Sequence, residues 1–215
     1  MTPAAAGIPV RRLDHGTMLL YDSEVSGNCY KVRLLLSQLG VRYERHEVDV
    51  VDHSGRAELL EGLNPALRVP TLVLDDGRSL GESNAILWYL ADGTGYLPHD
   101  GYARAKVLQW LFFEQYSHEP YIAVTRFWLT IAQTEPTEAE LAVKHAGGYA
   151  ALAAMERQLG STPFLTGDRY TIADIALYAY THVAEEAGFD LARHPAVTRW
   201  LERVAAQPGH VPIAA

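Results

Sequence analysis

Apolar and polar positions divide this chain into two halves with different periods. In the first half, short apolar runs alternate with helical stretches. Residues 17–21 (Thr-Met-Leu-Leu-Tyr) make an apolar run of strand length that leads into a polar loop from Asp22 to Gly27. From Asn28 the spacing becomes helical, with Val32, Leu35, Leu36 and Leu39 on one face and Gly40 as a stop. Residues 41–50 alternate apolar with charged side chains and predict a second strand. Strand, helix and strand in that order imply a right-handed crossover and a parallel pair. A short helix is expected at 57–61, ahead of a loop at Leu63-Asn64-Pro65.

The stretch from Arg68 to Ile86 is the most informative in the chain. Val69-Pro70 opens a strand, Asp76-Gly77 turns it back as a tight hairpin, and a helix is entered at Glu82-Ser83. Pro70 has no backbone N–H, so it suits the start of a strand and leaves Val69 extended with its own amide free. A helix beginning at Glu-Ser offers unpaired amides and a hydroxyl, which together attract an anion such as a carboxylate. Extended backbone beside such a helix end is what a small peptide with a terminal carboxylate needs.

The elements sum to β-α-β-α-β-β-α over residues 17–91, an α/β domain, followed by a turn-rich linker at 92–101. Beyond it the period changes: helical patterns at 102–131, 137–159, 171–186 and 195–206 carry no strand signal between them. Residues 102–207 therefore read as an all-helical domain, with 208–215 a C-terminal tail and 1–16 a disordered N-terminal one. Tyr170-Thr171-Ile172-Ala173-Asp174 is a complete helix entrance, with Thr as N-cap, an acidic residue three positions on, and Tyr170 and Ile175 as apolar flanks. It reads as a folding device.

Composition narrows the functional classes. The chain has 215 residues and a formal net charge of −8, which opposes non-specific nucleic-acid binding. No apolar run is long enough for a transmembrane helix. A single cysteine, Cys29, rules out an internal disulfide and a Cys-x-x-Cys redox pair, and suits a reducing cytoplasm. Nine histidines include no metal-binding spacing, and no Gly-x-Ser-x-Gly elbow or nucleotide loop occurs.

With these residues in hand, residues 17–207 resemble the cytosolic glutathione transferases, and the active-site loop resembles the bacterial, serine-type members (theta, phi and nu). Val69-Pro70 resembles the family's cis-proline site, where backbone pairs with the cysteinyl residue of glutathione. Glu82-Ser83 resembles the acidic-Ser pair that holds the γ-glutamyl group, and residues 170–174 resemble the capping box of a buried helix. The resemblance implies a thioredoxin-like first domain and a helical second domain lining a second-substrate site. It further implies glutathione as co-substrate, no metal, a small hydrophobic electrophile, a homodimer and a cytoplasmic location. His53, Arg56 and Arg68 stand in the region that supplies cations and contacts to glutathione. Tyr116 and Tyr121 are candidates for an aromatic acceptor pocket, with packing between helices as the other reading.

The loop Ser23-Glu24-Val25-Ser26-Gly27-Asn28-Cys29 decides which residue meets the sulfur. Ser26 falls where serine-type transferases carry their catalytic hydroxyl, and Asn28 is the second candidate. The Ser-Gly-Asn pattern is also similar to nu-type relatives that reduce disulfides or peroxides. A non-catalytic interaction module of the same fold is a third reading, opposed by the intact Ser26, Pro70 and Glu82-Ser83. Ser26 and Asn28 are equally suited to plain helix capping. Cys29 is expected as a small hydrophobe under the first helical turn, its rival role being a mixed disulfide with glutathione.

Overall fold

The computed structural model describes residues 17–215, so the tail expected at 1–16 lies outside the described residues. The first domain runs β1 (Met18–Asp22), α1 (Gly27–Leu39), β2 (Tyr43–Glu47), α2 (Arg56–Leu60), β3 (Thr71–Val73), β4 (Ser79–Leu80) and α3 (Ser83–Ala91). This is the βαβαββα order expected of a thioredoxin-like domain. The sheet order is β2-β1-β3-β4, with β1 and β2 parallel and the remaining pairs antiparallel. β2 is shorter than its alternating pattern suggests. It is the edge strand, its Tyr-Glu-Arg-His-Glu sequence is largely exposed, and its charges blunt that edge.

The second domain is helical throughout: α4 (Gly101–Phe113), α5 (Glu119–Arg126), α6 (Glu138–Leu159), α7 (Ile172–Thr181) and α8 (Pro195–Ala205). The single helix expected over 102–131 is instead broken by two π turns, at Glu114–His118 and Phe127–Ile131. An inserted residue rotates the following side chains, and such turns recur at functional sites. The pattern expected to continue to 186 stops as an α-helix at Thr181, and a 3₁₀ turn follows at Ala184–Ala187.

One continuous apolar core joins both domains, from Leu20, Leu35 and Leu72 around the sheet to Ile172, Leu177 and Trp200 in the bundle. α7 is buried along its whole length and packs against α1, so the second domain rests on the helix that follows the Ser26 loop. Residues 209–213 lie back across α1, where Ser37 Oγ donates to Gly209 O at 2.8 Å, Tyr30 Oη to Val211 O at 2.7 Å and Arg33 Nη2 to Ile213 O at 2.6 Å. Among the described residues no helix is long and apolar enough to cross a membrane.

Candidate active site

Two helix entrances face the junction of the domains. At the first, Ser26 caps α1: its backbone is extended and its Oγ accepts from Cys29 N at 3.3 Å. The loop carbonyls before it are held by cations. Arg33 donates to Ser23 O at 3.1 Å and Glu24 O at 3.0 Å, and Arg126 of α5 donates to Val25 O at 2.7 Å. Arg33 is itself paired with Asp22 (2.6 Å) and Arg126 with Glu186 (2.7 Å). Three successive carbonyls anchored by two guanidinium groups fix where the Ser26 hydroxyl sits.

Cys29 is fully buried beneath this turn. Desolvation pushes its thiol far above the ordinary range and the Asp22 charge adds to that, against a lowering hydrogen bond from Ser26. A thiol held protonated and out of solvent is a packing group rather than a nucleophile. Gly27 leaves room for the second domain: a Cβ there would stand 2.4 Å from the Tyr180 ring, and Tyr180 Oη accepts from Asn28 N at 3.1 Å.

The second entrance is open. The Val69-Pro70 bond is cis. Arg68 O accepts from Asn64 Nδ2 (3.0 Å) and Thr71 Oγ1 (2.7 Å), while no backbone partner of Val69 occurs among the described residues. Glu82 stands at φ 62°, a left-handed conformation that a non-glycine residue adopts at a cost, and it makes no side-chain cap to α3. The first amide of α3 with a backbone acceptor is Ile86 N, on Glu82 O at 3.0 Å. The preceding amides are therefore positioned for a ligand, as an anion-binding helix end requires. Gly81 is needed beside this turn, since a Cβ would meet Asn64 Nδ2 at 2.7 Å.

The two entrances meet through side chains. Ser83 Oγ donates to Asn28 Oδ1 at 3.2 Å, joining the residues singled out on α3 and α1. Buried Lys31 donates to the same Asn28 Oδ1 at 2.8 Å and to Ser83 Oγ at 3.3 Å, and pairs with Glu114 Oε1 at 2.9 Å. On the far side of Asn28, its Nδ2 faces Glu119 Oε1 at 3.5 Å. Burial holds the Glu119 carboxyl above its usual range, with the neighbouring Glu114 charge acting in the same sense.

The other expected residues sit apart from this cluster. His53 Nε2 lies 3.2 Å from Val50 O and Arg56 Nη2 donates to Asp49 O at 2.7 Å, so both are engaged by their own loop. Arg68 is exposed beside the cis bond, near enough to Glu119 for its charge to be felt there. Tyr116 and Tyr121 line one recess of about 260 Å³ with Phe113, Ser117, Gly147, Ala150 and Ala151, all of the second domain.

Several residues of the cluster were not legible as site residues. Lys31 and Glu114 each continue an apolar helical stripe, one turn before Leu35 and one turn after Trp110. A charged residue on a buried stripe was the available signal. Glu119 and Arg126 carried none, because their partners are distant in sequence.

Similarity to known proteins agrees with this geometry. Residues 20–95 match the family model for the glutathione S-transferase N-terminal domain and residues 135–203 that for its C-terminal domain. The chain is 34% identical over 191 residues to the disulfide-bond oxidoreductase YfcG of Escherichia coli, covering 84% of this chain and 87% of that protein. It is 32% identical to glutathione S-transferase 3 of Zea mays, covering 88% and 89% of the two chains. Among solved structures, a glutathione S-transferase from Pseudomonas fluorescens superimposes with a TM-score of 0.89 at 50% identity, covering 93% of this chain and 100% of that one. The cis-proline strand, the open α3 entrance and the helical domain on α1 thus belong to a chain that is a member of the glutathione S-transferase family.

Proposed function

We propose that the protein is a glutathione transferase that binds glutathione across the two helix entrances and activates its thiol through Ser26. The observation that carries this is the pairing of unpartnered Val69 backbone with the uncapped N-terminus of α3. An extended tripeptide pairs its cysteinyl backbone with Val69 and lays its γ-glutamyl carboxylate on the free amides of the α3 entrance at Glu82-Ser83. His53, Arg56 and Arg68 are the contacts for the glycyl end.

The energetics suffice without a metal or a general-base histidine. A thiol titrates near ~8.5, and lowering that by about two pH units requires roughly 2.7 kcal/mol in favour of the anion. A hydroxyl donating to a charged sulfur contributes about 1.5–3 kcal/mol, and a helix N-terminus about 0.3–1 kcal/mol. Ser26 accepts from Cys29 N through a lone pair, so its proton remains for the sulfur. The thiol proton leaves to solvent, and the thiolate forms a C–S bond to a hydrophobic electrophile as the leaving group departs.

A reductase reading is favoured by one feature. The Asn28 amide is oriented by Lys31 and Ser83 with its Nδ2 directed to the domain junction, engaged only by a long 3.5 Å contact to Glu119, and a donor of that kind to a thiolate serves disulfide or peroxide reduction equally well. Thiolate absorbance of bound glutathione against pH, in Ser26→Ala and Asn28→Ala proteins, separates the two. Ser26→Ala is expected to raise the apparent pKa and lower thiolate formation roughly ten- to a hundredfold at neutral pH. An unmoved value in Ser26→Ala with a raised one in Asn28→Ala transfers the role to Asn28. Turnover with an aryl halide, an epoxide, a peroxide and hydroxyethyl disulfide then assigns the reaction.

Pairing of two copies through α3 and α4 belongs to the same proposal. A groove of about 540 Å³ runs there among Trp88, Leu108, Leu111 and Phe112, and Phe112 is 69% exposed. Phe112→Glu should halve the particle mass seen by light scattering. An unchanged mass would remove this face from the interface.

A further inference from the structure

We infer that Lys31, paired with Glu114, is a positioning residue that fixes the Asn28 amide and the Ser83 hydroxyl for glutathione and ties that site to the helical domain. The inference rests on the glutathione-binding reading above. Lys31 and Glu114 are both fully buried, with side-chain exposures of 0% and 0%. An ammonium has three donors and no acceptor. Two are assigned as hydrogen bonds, to Asn28 Oδ1 at 2.8 Å and Ser83 Oγ at 3.3 Å, and the charge is balanced by Glu114 Oε1 at 2.9 Å in an ion pair.

The consequences follow from donor and acceptor counting. A donor-only group beside Asn28 compels its amide to present Oδ1 inward, because the flipped amide would set NH₂ against the ammonium. Ser83 Oγ accepts from Lys31, so its own proton goes to Asn28 Oδ1 at 3.2 Å. Both lone pairs of Oδ1 are then used, and Asn28 Nδ2 is turned to the junction of the domains, where it makes a long contact of 3.5 Å to Glu119 Oε1. The anchor of the ammonium comes from the second domain. Glu114 opens the π turn after α4, and its Oε2 accepts from Asn84 Nδ2 of α3 at 3.0 Å and from Gln115 Nε2 at 2.7 Å. One buried ion pair therefore joins α1, α3 and the end of α4, with two of the proposed glutathione contacts among its direct partners. Lys31 and Glu114 cancel one another, so the pair orients polar groups without adding net charge where the ligand carboxylate arrives.

Breaking such a pair from one side leaves an uncompensated buried charge, so the test removes both charges at once. Lys31→Met/Glu114→Gln keeps volume, and the amide oxygen it introduces can still accept from Asn84. Its dissociation constant for glutathione, measured by calorimetry, should rise at least tenfold, while kcat at saturating glutathione falls less than threefold. Asn28→Ala should weaken binding in the wild-type background but add little in the double variant, because the amide is already unoriented there. A purely structural pair would give additive effects. Binding of glutathione by Lys31→Met/Glu114→Gln within twofold of wild type, or full additivity with Asn28→Ala, overturns the inference. Should that variant not fold, Lys31→Arg keeps the charge pair but moves its donors, with weaker binding expected and unchanged binding overturning the inference. Wild-type protein that does not bind glutathione overturns the glutathione reading and this inference together, whereas binding retained equally by all variants overturns only the latter.

Discussion

The entrances of α7 and α3 are built from similar residues and finished in opposite ways. At α7, Thr171 Oγ1 accepts from Ala173 N at 3.3 Å, and Asp174 accepts four hydrogen bonds: from Leu165 N, Trp200 Nε1 and Thr171 N, each at 2.9 Å, and from Thr171 Oγ1 at 3.3 Å. No donor around that carboxylate is left for a ligand. At α3, the N-cap is a strained Glu82 that caps nothing, and Ser83 is turned sideways into the Asn28–Lys31 network. A helix end closed on itself stabilises, and one left open is available for binding. The difference separates a structural acidic residue from functional ones in a single fold.

The largest effect expected from breaking this contrast is at the closed end. Asp174→Ala orphans three buried N–H donors at about 1–3 kcal/mol each. For a chain of this size that corresponds to a fall in Tm on the order of 10 °C. Protein that remains folded should turn over glutathione normally. Differential scanning calorimetry and turnover measured below the new Tm check both halves. A normal Tm with lost turnover would place Asp174 in the site instead.

Acid should test the same region more gently. His118 is buried and His182 largely shielded, and desolvation lowers both from the ordinary 6.5 to about 4. The unfolded chain binds protons that the folded one refuses between those values. Their stabilisation is therefore complete above pH ~6.5 and is lost as pH falls toward 4, at up to about 3 kcal/mol per histidine. Asp174 opposes them: burial raises its carboxyl to about 6, so the folded state gains a proton first and is relatively favoured as pH falls from 6 toward 4. Burial also lowers His210 and raises the Glu119 carboxyl, so three histidines stand against two carboxyls, and Tm should decline from pH 7 to 4.5. His118→Gln, which keeps a partner for Thr181 Oγ1, should flatten the decline. An identical slope would show that His118 titrates normally.

At the open end the expected effect is smaller and confined to binding. Ser83→Ala removes the hydroxyl that donates to Asn28 Oδ1 at the α3 entrance but leaves the α3 amides in place. Glutathione affinity should fall several-fold with Tm within a few degrees of wild type. A Ser83→Ala protein retained on immobilised glutathione as well as wild type would exclude this helix end.

How much of this was legible follows the range of the interactions. The βαβαββα order, the Asp76-Gly77 hairpin and the Thr171/Asp174 box are set by neighbours within a few residues, and they stand where the periodicity puts them. The cis bond at Val69-Pro70 was readable through the family resemblance and the helix entrance at Glu82-Ser83 through its pattern, whereas the positive φ of Glu82 was not. What escaped are contacts made across the fold. Lys31 meets Ser83 and Glu114, Arg126 meets Val25, and Asn64 meets Gly81 only after the chain has folded. The π turn at Glu114–His118 escaped for a related reason, because the apolar stripe continues through it and only the registry changes. Gly27 escaped in the same way, because the group that fills the space of its missing Cβ is the Tyr180 ring of the other domain.

The smallest effect is expected at Cys29, and it sharpens the contrast from within the first entrance. Ser26 and Cys29 share a hydrogen bond through the Cys29 amide, yet the hydroxyl lies at the mouth of the loop and the sulfur lies beneath it. Replacing a buried sulfur by hydrogen leaves a small void, costing about 1 kcal/mol. Cys29→Ala should therefore conjugate and reduce at the wild-type rate, with a Tm lowered by a few degrees. A disulfide reagent gives an independent reading. The native protein should react slowly, through opening of the first turn, and the unfolded chain should release one equivalent at once. Glutathione disulfide should leave no mixed disulfide on the native protein by mass spectrometry. Fast labelling, or a glutathione adduct on Cys29 that appears and disappears with turnover, would make the cysteine a participant and demote Ser26 to its cap.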